Sequence, residues 1–200
     1  MRYIHDFIKL NDSRKTPLVI YGIGGVGKTQ LVREFVYAYE TDFTSVIWIT
    51  AQTLQTTQNS FLRFMQRLIY SYAGKSMISP PPYPRIARHL SIGGLVDKNG
   101  LLIMDQDTMH RVTNAVIMWL NRDGNRDWLL VFDNVDDLES FRISDHFPSS
   151  MSGNIILTSR RPDCRRLGEG RSLEVMAEQD SISLLSKSYG RKIKLTDKGM

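Results

Sequence analysis

Residues 22–29 read Gly22-Ile23-Gly24-Gly25-Val26-Gly27-Lys28-Thr29 and fit the pattern G-x-x-x-x-G-K-[ST] of a phosphate-binding P-loop. The four residues before the loop, 18–21, are apolar and partly β-branched, as in a buried strand. The residues after it place five apolar side chains at helical spacing: Leu31, Val32, Phe35, Val36 and Tyr39. Strand, glycine-rich loop and helix follow in the order that a P-loop requires, so we predict that this stretch binds a nucleotide.

The residue types in this loop match the chemistry of holding a polyphosphate. Glycines let successive backbone N–H groups point inward at phosphate oxygens, and the following helix adds its positive N-terminal end. We expect Lys28 to reach the β- and γ-phosphates and the hydroxyl of Thr29 to ligate Mg²⁺. The predicted nucleotide-binding residues are Gly22, Ile23, Gly24, Gly25, Val26, Gly27, Lys28, Thr29 and Gln30.

Length and composition are those of one ordinary globular domain. The 200 residues are 42% hydrophobic and 24% charged, which is enough for a sizeable core. A net charge of +5 suits anionic ligands without by itself indicating nucleic-acid binding. The single cysteine, Cys164, fits a reducing compartment, and the chain has neither a secretory signal pattern nor an apolar run of membrane-spanning length. We therefore expect a soluble, cytoplasmic protein.

Apolar runs and helical spacing alternate along the chain. Strands are predicted at residues 18–21, 43–51, 128–132, 154–158 and 172–176. Helices are predicted at residues 2–11, 30–40, 60–72 and 180–189. Asn59 or Ser60 is the expected N-cap of the third helix, and Asp105 or Asp107 is expected to cap a further one. The alternation predicts a mostly parallel sheet with helices on both faces.

A carboxylate follows directly after the apolar run of residues 129–132. Asp133 therefore stands at the C-terminal end of a predicted buried strand, which is the Walker B arrangement. Ligands of open α/β sheets bind at this edge, and Mg²⁺ prefers hard oxygen donors. We predict Asp133 as the second metal ligand beside Thr29. The alternative is an acidic residue that only caps the following turn.

Asn134 follows at the position where many hydrolysing relatives carry an acidic residue. Such an acid accepts the proton of the attacking water, whereas a neutral amide orients water but cannot act as that base. Asp136 and Asp137 lie close in sequence and could substitute. We therefore hypothesise slow turnover, with the nucleotide state acting as a switch.

Arg160 stands at the tip of the fourth predicted strand, where an arginine can sense the γ-phosphate through forked hydrogen bonds. Four further arginines follow it: Arg161, Arg165, Arg166 and Arg171. A solvated charged loop is their plain interpretation, and a nucleic-acid surface is the alternative. Cys164 among them could carry a depressed pKa or be an ordinary loop cysteine. The candidate catalytic residues are Lys28, Asp133, Asn134, Asp136 and Arg160.

Four stretches resemble, in order and spacing, the NB-ARC nucleotide-binding domain of the STAND ATPases, in the form of fungal NOD-like receptors. They are residues 21–31, 46–49, 128–137 and 153–160. The P-loop is generic, and its combination with the Thr-Ser-Arg end of the fourth strand is the more specific feature. The resemblance implies a P-loop NTPase three-layer sandwich with a five-stranded, mostly parallel sheet. It also implies that the Arg160 strand lies between the P-loop and Walker B strands.

The same resemblance implies a function. ADP would be bound at rest and ATP in an oligomeric signalling state, with Arg160 sensing the terminal phosphate. The role implied is signal transduction in innate-type recognition or regulated cell death, usually with flanking effector and repeat domains. The family's upstream adenine motif and downstream winged-helix segment do not occur here, so we expect a fragment, a truncated product or an isolated domain. We expect a lead-in at residues 1–15, the nucleotide-binding domain at 16–190 and a basic tail at 191–200.

Other functions remain open at this point. An AAA+-like, DNA-associated ATPase would use the arginine-rich segment, and salt-sensitive DNA binding would favour it. A nucleotide-incompetent remnant would only mediate protein contacts, which fits poorly with an intact Lys28, Thr29 and Asp133. A P-loop kinase fits less well because the chain has no lid segment or acceptor-binding constellation. The expected partners are an adenine nucleotide, Mg²⁺ and, in the ATP state, further copies of the protein; nucleic acid and membranes are not expected.

Overall fold

The computed structural model describes residues 1–10, 16–149 and 152–189, so the predicted basic tail and residues 11–15 of the lead-in lie outside the described residues. Within them, five strands form one parallel sheet in the order β2-β3-β4-β1-β5. The strands are β1 (Leu18–Tyr21), β2 (Ser45–Thr50), β3 (Trp128–Asp133), β4 (Asn154–Ser159) and β5 (Glu169–Ser172).

Six α-helices accompany this sheet in the described part of the chain. They are α1 (Arg2–Leu10), α2 (Lys28–Ala38), α3 (Leu54–Gly74), α4 (Tyr83–His89), α5 (Thr108–Leu120) and α6 (Glu178–Tyr189). Among these described helices, none is both long enough and apolar enough to cross a lipid bilayer.

Alternate residues of β3, an interior strand of the sheet, pack against different helices. Trp128, Leu130 and Phe132 belong to a core shared with α3, α4 and α5, and all three are at most 1% exposed. Leu129 and Val131 face the opposite way, into a core shared with α1 and α2. Because both faces are covered, β3 is buried along its whole length, as expected for an interior strand of a parallel sheet. The result is a three-layer sandwich.

The predicted sheet is confirmed. It has five parallel strands flanked by helices, and β4, which carries Arg160 just beyond its end, lies between β1 and β3. This order brings the loop after β1 next to the ends of β3 and β4 at the carboxyl edge of the sheet.

The predicted start of the third helix is wrong. α3 begins at Leu54 rather than near residue 60, and Thr53 is its N-cap in a reciprocal capping box with Thr56. Ser60 is buried inside the helix, where its hydroxyl donates to the carbonyl of Thr56. The first turn was missed because Leu54 and Gln55 are exposed, so the apolar pattern marks only the buried part of the helix.

The fifth strand is also displaced from its predicted position at residues 172–176. β5 spans Glu169–Ser172, and all four of its residues are exposed. Backbone pairing with β1 holds it at the edge of the sheet. In addition, the N–H of Glu169 donates to the carbonyl of Pro17, just before β1. A strand without a buried face has no apolar pattern to mark it. The apolar residues after Ser172 carry such a pattern, so the strand is predicted too far toward the C-terminus.

Gly153, which precedes β4, allows a close packing contact. A Cβ at this position would lie 2.1 Å from the indole of Trp128 and 2.5 Å from its carbonyl oxygen. We predict that Gly153→Ala lowers the free energy of unfolding by about 1–3 kcal/mol, measured by urea denaturation. Gly74→Ala, at the open end of α3, is the control and raises it by at most about 1 kcal/mol. Equal stabilities for the two variants would contradict the packing described.

Candidate functional site

The loop between β1 and α2 lies at the carboxyl edge of the sheet, where the ends of β3 and β4 also meet. Its first residue is tied to β4 because the N–H of Gly22 donates to the carbonyl of Ser159, 3.2 Å away. α2 then starts at Lys28, so the N-terminus of this helix points into the loop. This arrangement concentrates backbone N–H groups and a helix dipole at one place, which favours an anion.

Two glycines give the loop its curvature. Gly25 has a φ of +77° and Gly27 a φ of +99°, a region that L-residues with a side chain rarely adopt. A Cβ on either residue would meet no atom within 4 Å, so glycine is required here by the backbone conformation and not by crowding. The curvature of this loop, or cradle, is therefore set by its backbone, as in loops that turn successive N–H groups toward an anion.

Lys28 is folded over this cradle. Its Nζ donates to the carbonyl oxygens of Gly22 and Ile23 at 2.8 and 2.9 Å, and the residue is only 6% exposed. Burial lowers the pKa of this ammonium; the carboxylate of Asp136 opposes that shift, and the guanidinium of Arg160 adds to it. The ammonium is thus held at the loop mouth by weak neutral acceptors that a phosphate can replace.

Asp133 and Thr29, the two residues expected to share a metal ion, are in direct contact. The hydroxyl of Thr29 donates to Oδ1 of Asp133 at 2.8 Å, and Asp133 is 6% exposed. The hydroxyl of Thr158 donates to the same oxygen. Two hard oxygen donors next to a phosphate cradle fit Mg²⁺, and these two side chains would hold it. Among the described residues, no group of three or more His, Cys, Asp or Glu side chains is placed to hold a metal ion.

A cavity of about 430 Å³ opens beside this pair. It is lined by Thr29, Arg33, Val36, Tyr37, Trp48 and Asp133. The cavity leaves space at the carboxylate for an ion with its water ligands, which Mg²⁺ usually retains in proteins.

Asn134 adopts a left-handed backbone, with φ of +63°. Asparagine tolerates this conformation better than most residues, because its short polar side chain can bond locally. Its N–H donates to the hydroxyl of Thr158 at 2.9 Å, which fixes the turn leaving β3. The left-handed backbone therefore gives a structural reason for asparagine at this position. This reason is separate from the chemical point that an amide cannot act as a general base.

Arg160 and Asp136 form an ion pair that joins the segment after β4 to the segment after β3. Nε of Arg160 lies 3.4 Å from Oδ2 of Asp136, and the N–H of Arg160 donates to Oδ1 at 2.7 Å. A Cβ on Gly24 would lie 3.8 Å from Nε of Arg160, so this side chain runs over the P-loop. Asp136 is thereby engaged by arginine, and Asp137 accepts hydrogen bonds from the N–H groups of Glu139 and Ser140.

The remaining predicted residues lie around this centre. Ile23 is 63% exposed at the loop tip, and the N–H of Val26 donates to its carbonyl. The side chain of Gln30 donates to Glu34 on the outer side of α2, away from the cradle. Of the predicted nucleotide-binding residues, Gln30 is therefore the one whose side chain is engaged elsewhere on α2.

Sequence reasoning did not assign roles to Thr158 and Ser159. Both are fully buried; Thr158 joins Asp133 to Asn134, and the hydroxyl of Ser159 donates to the carbonyl of Val135. Hydroxyl residues at the end of an otherwise apolar strand are the available signal, because their oxygens need partners at the sheet edge. Their partners lie on β3 and in the turn after it, which no local pattern identifies.

Two of the four arginines in the segment after Arg160 have partners, whereas Arg165 and Arg166 are exposed. Arg161 contacts Asp163 and Glu139, and the guanidinium of Arg171 lies 4.3 Å above the ring of Tyr3. Cys164 is buried with Sγ 3.1 Å from the carbonyl oxygen of Val135. Burial raises the pKa of this thiol, the opposite of the depressed value that the neighbouring arginines suggested.

We predict that Thr158→Val lowers the free energy of unfolding by about 2–3 kcal/mol, because it leaves the N–H of Asn134 without its acceptor and removes a donor to Asp133. Thr158→Ser keeps the hydroxyl and is the control, with a loss below about 1 kcal/mol. Urea denaturation measures both. Equal losses in the two variants would show that the hydroxyl is not what matters.

A solved structure with a similar fold is that of a DNA replication initiation factor. The two chains are 18% identical with a TM-score of 0.51, and the match covers 96% of this chain and 52% of the other, so this chain spans about half the length of that protein. At this identity the similarity shows the fold alone. No protein-family model matches the chain. No curated protein matches it in sequence. The parallel sheet and the P-loop between β1 and α2 are those of a P-loop NTPase fold.

Proposed function

We propose that the chain is an ATP/ADP-binding switch domain of a STAND signalling NTPase of the NB-ARC type, with slow ATP hydrolysis. The observation that carries this proposal is the convergence of Lys28, Thr29, Asp133 and Arg160 at one edge of the sheet. A P-loop switch needs a basic group for the phosphates, oxygen ligands for Mg²⁺ and an arginine that can contact the terminal phosphate. The proposed nucleotide-binding domain is residues 16–190.

Each residue has a defined part in this proposal. The backbone N–H groups of the loop and Lys28 bind the phosphates, with Lys28 exchanging the carbonyls of Gly22 and Ile23 for phosphate oxygens. Thr29 and Asp133 hold Mg²⁺, which neutralises phosphate charge when bound. Arg160, already over the loop, contacts the terminal phosphate of ATP.

Slow hydrolysis follows from the acids near Asn134. An amide cannot take the proton of an attacking water, and the two nearby carboxylates already serve other groups: Asp136 pairs with Arg160 and Asp137 caps a turn. Without a carboxylate poised as a base, bound ATP persists long enough to act as a signal. Fast multiple turnover by the purified chain would contradict this part of the proposal.

The signalling role rests on the NB-ARC resemblance together with the strand order. β4 lies between β1 and β3, ends in Thr158 and Ser159 and is followed directly by Arg160, as the resemblance to that family implies. We propose that ATP binding drives self-association within a longer cytoplasmic protein, in innate-type recognition or regulated cell death. Flanking effector and repeat domains would supply the output and the sensing.

A DNA-associated ATPase of the AAA+ type is the second candidate. The similarity to a DNA replication initiation factor favours it. Arg161 pairs with two acids and Arg171 stacks on Tyr3, which leaves the exposed Arg165 and Arg166 as the cations that this segment could offer to DNA. DNA binding that weakens steeply with salt would favour this candidate, and indifference to DNA at physiological ionic strength would remove it.

We predict that Lys28→Ala lowers the affinity for ATP and ADP about 10- to 100-fold, because a charged donor to the phosphates is lost. Lys75→Ala, at the exposed end of α3, is the matched control and leaves both affinities unchanged. Fluorescence titration with a labelled adenine nucleotide measures the affinities, and circular dichroism checks the fold. Unchanged binding by a folded Lys28→Ala protein would refute the assigned pocket.

We predict that Asp133→Asn lowers ATP affinity about tenfold in magnesium and little in EDTA, because the carboxylate acts through the metal. The amide keeps an oxygen that can accept the hydroxyls of Thr29 and Thr158. Asp123→Asn, an exposed acid in the loop before β3, is the control and changes neither affinity. An equal loss with and without magnesium would remove Asp133 from the metal site.

A further inference from the structure

Arg160 is restrained by one carboxylate through two separate contacts. Oδ1 of Asp136 accepts the backbone N–H of Arg160 at 2.7 Å and lies 3.2 Å from the hydroxyl of Ser159. Oδ2 faces Nε of the same arginine at 3.4 Å. The first oxygen therefore anchors the carboxylate to β4, and the second oxygen alone holds the guanidinium.

This ion pair lies beside the phosphate cradle. The Arg160 side chain passes over Gly24, and the charges of both Asp136 and Arg160 act on Lys28 at the loop mouth. Asp136 thus offers a negative charge to the basic groups that would otherwise face a phosphate. Its position is that of an internal anion next to the expected site of the polyphosphate.

The ion pair restrains the Arg160 side chain, but it is exposed enough for the contact between the two side chains to break. The Arg160 side chain is 65% exposed and that of Asp136 is 26% exposed, so water screens the contact. A doubly charged terminal phosphate offers the guanidinium a stronger, forked partner. Because Oδ1 is anchored independently, only the contact between Nε and Oδ2 has to break.

We propose that Asp136 competes with the terminal phosphate for Arg160 and thereby sets the preference of the domain for ADP over ATP. ADP has no group at the γ position and leaves the ion pair intact. The γ-phosphate of ATP can bind the guanidinium of Arg160 only if this group leaves the carboxylate of Asp136. The inference rests on the proposed function and names the residue that determines which nucleotide the resting domain retains.

The test is the ratio of ATP to ADP affinity in Asp136→Asn. The amide keeps an oxygen for the N–H of Arg160 and the hydroxyl of Ser159, but it has no charge to hold the guanidinium. ATP affinity should rise about fivefold, the size expected for a partly exposed ion pair, and ADP affinity should rise by clearly less, because ADP gains only the loss of a charge near Lys28 and not the freed guanidinium. Calorimetric titration with each nucleotide in magnesium measures both, and the ADP value also checks that the cradle is intact.

Two variants separate this competition from other effects. Glu139→Gln removes a carboxylate from the same segment, which pairs with the next arginine, Arg161, and should leave the ratio unchanged. Arg160→Gln should lower ATP affinity about fivefold, and adding Asp136→Asn to it should then change the ratio less than twofold. The double variant is informative because competition needs both partners.

Four outcomes would overturn the inference. They are an unchanged ratio in Asp136→Asn, a loss of ADP binding in that variant, the same shift from Glu139→Gln, and a full shift that persists without Arg160. Failure of the proposed function is a different result, since then the wild-type chain takes up neither nucleotide in magnesium.

Discussion

The architecture of the site depends on the buried carboxylate of Asp133. This group is almost inaccessible to solvent, and a charge in that position requires hydrogen-bond donors. Thr29 and Thr158 supply them from the first turn of α2 and the end of β4. One oxygen atom on β3 therefore ties together α2, β3 and β4. The same Thr158 hydroxyl also accepts the N–H of Asn134, so the turn after β3 is fixed by the same contact.

The rest of the site follows the same rule that each charge has a partner. Lys28 is held by backbone carbonyls, and Arg160 is held by Asp136. In the proposed nucleotide complex these partners are the ones that phosphate oxygens would replace. In that proposal Asp133 keeps its contacts while Lys28 and Arg160 exchange partners. The engagement of Asp136 by Arg160 is also the basis of the slow hydrolysis that we propose.

Much of this could be predicted from local sequence, and the limits are physical. β1, β3 and the P-loop helix carry apolar patterns that depend on neighbouring residues, and their positions agree with the structure. β5 has no buried face and α3 begins with exposed residues, so neither boundary has a pattern to find. The partners of Thr158 and Arg160 lie 24 or 25 residues away on another segment. Such contacts follow from strand order, which the sequence supplied here only through a family resemblance.

We propose that the curved backbone, Lys28 and the Thr29–Asp133 pair form one site for a nucleotide bound with magnesium. The decisive experiment is calorimetric titration of the wild-type chain with ADP, in magnesium and again in EDTA. We expect saturable binding of one nucleotide per chain that is tighter in magnesium. A well-folded chain that takes up neither ADP nor ATP with magnesium present would contradict it.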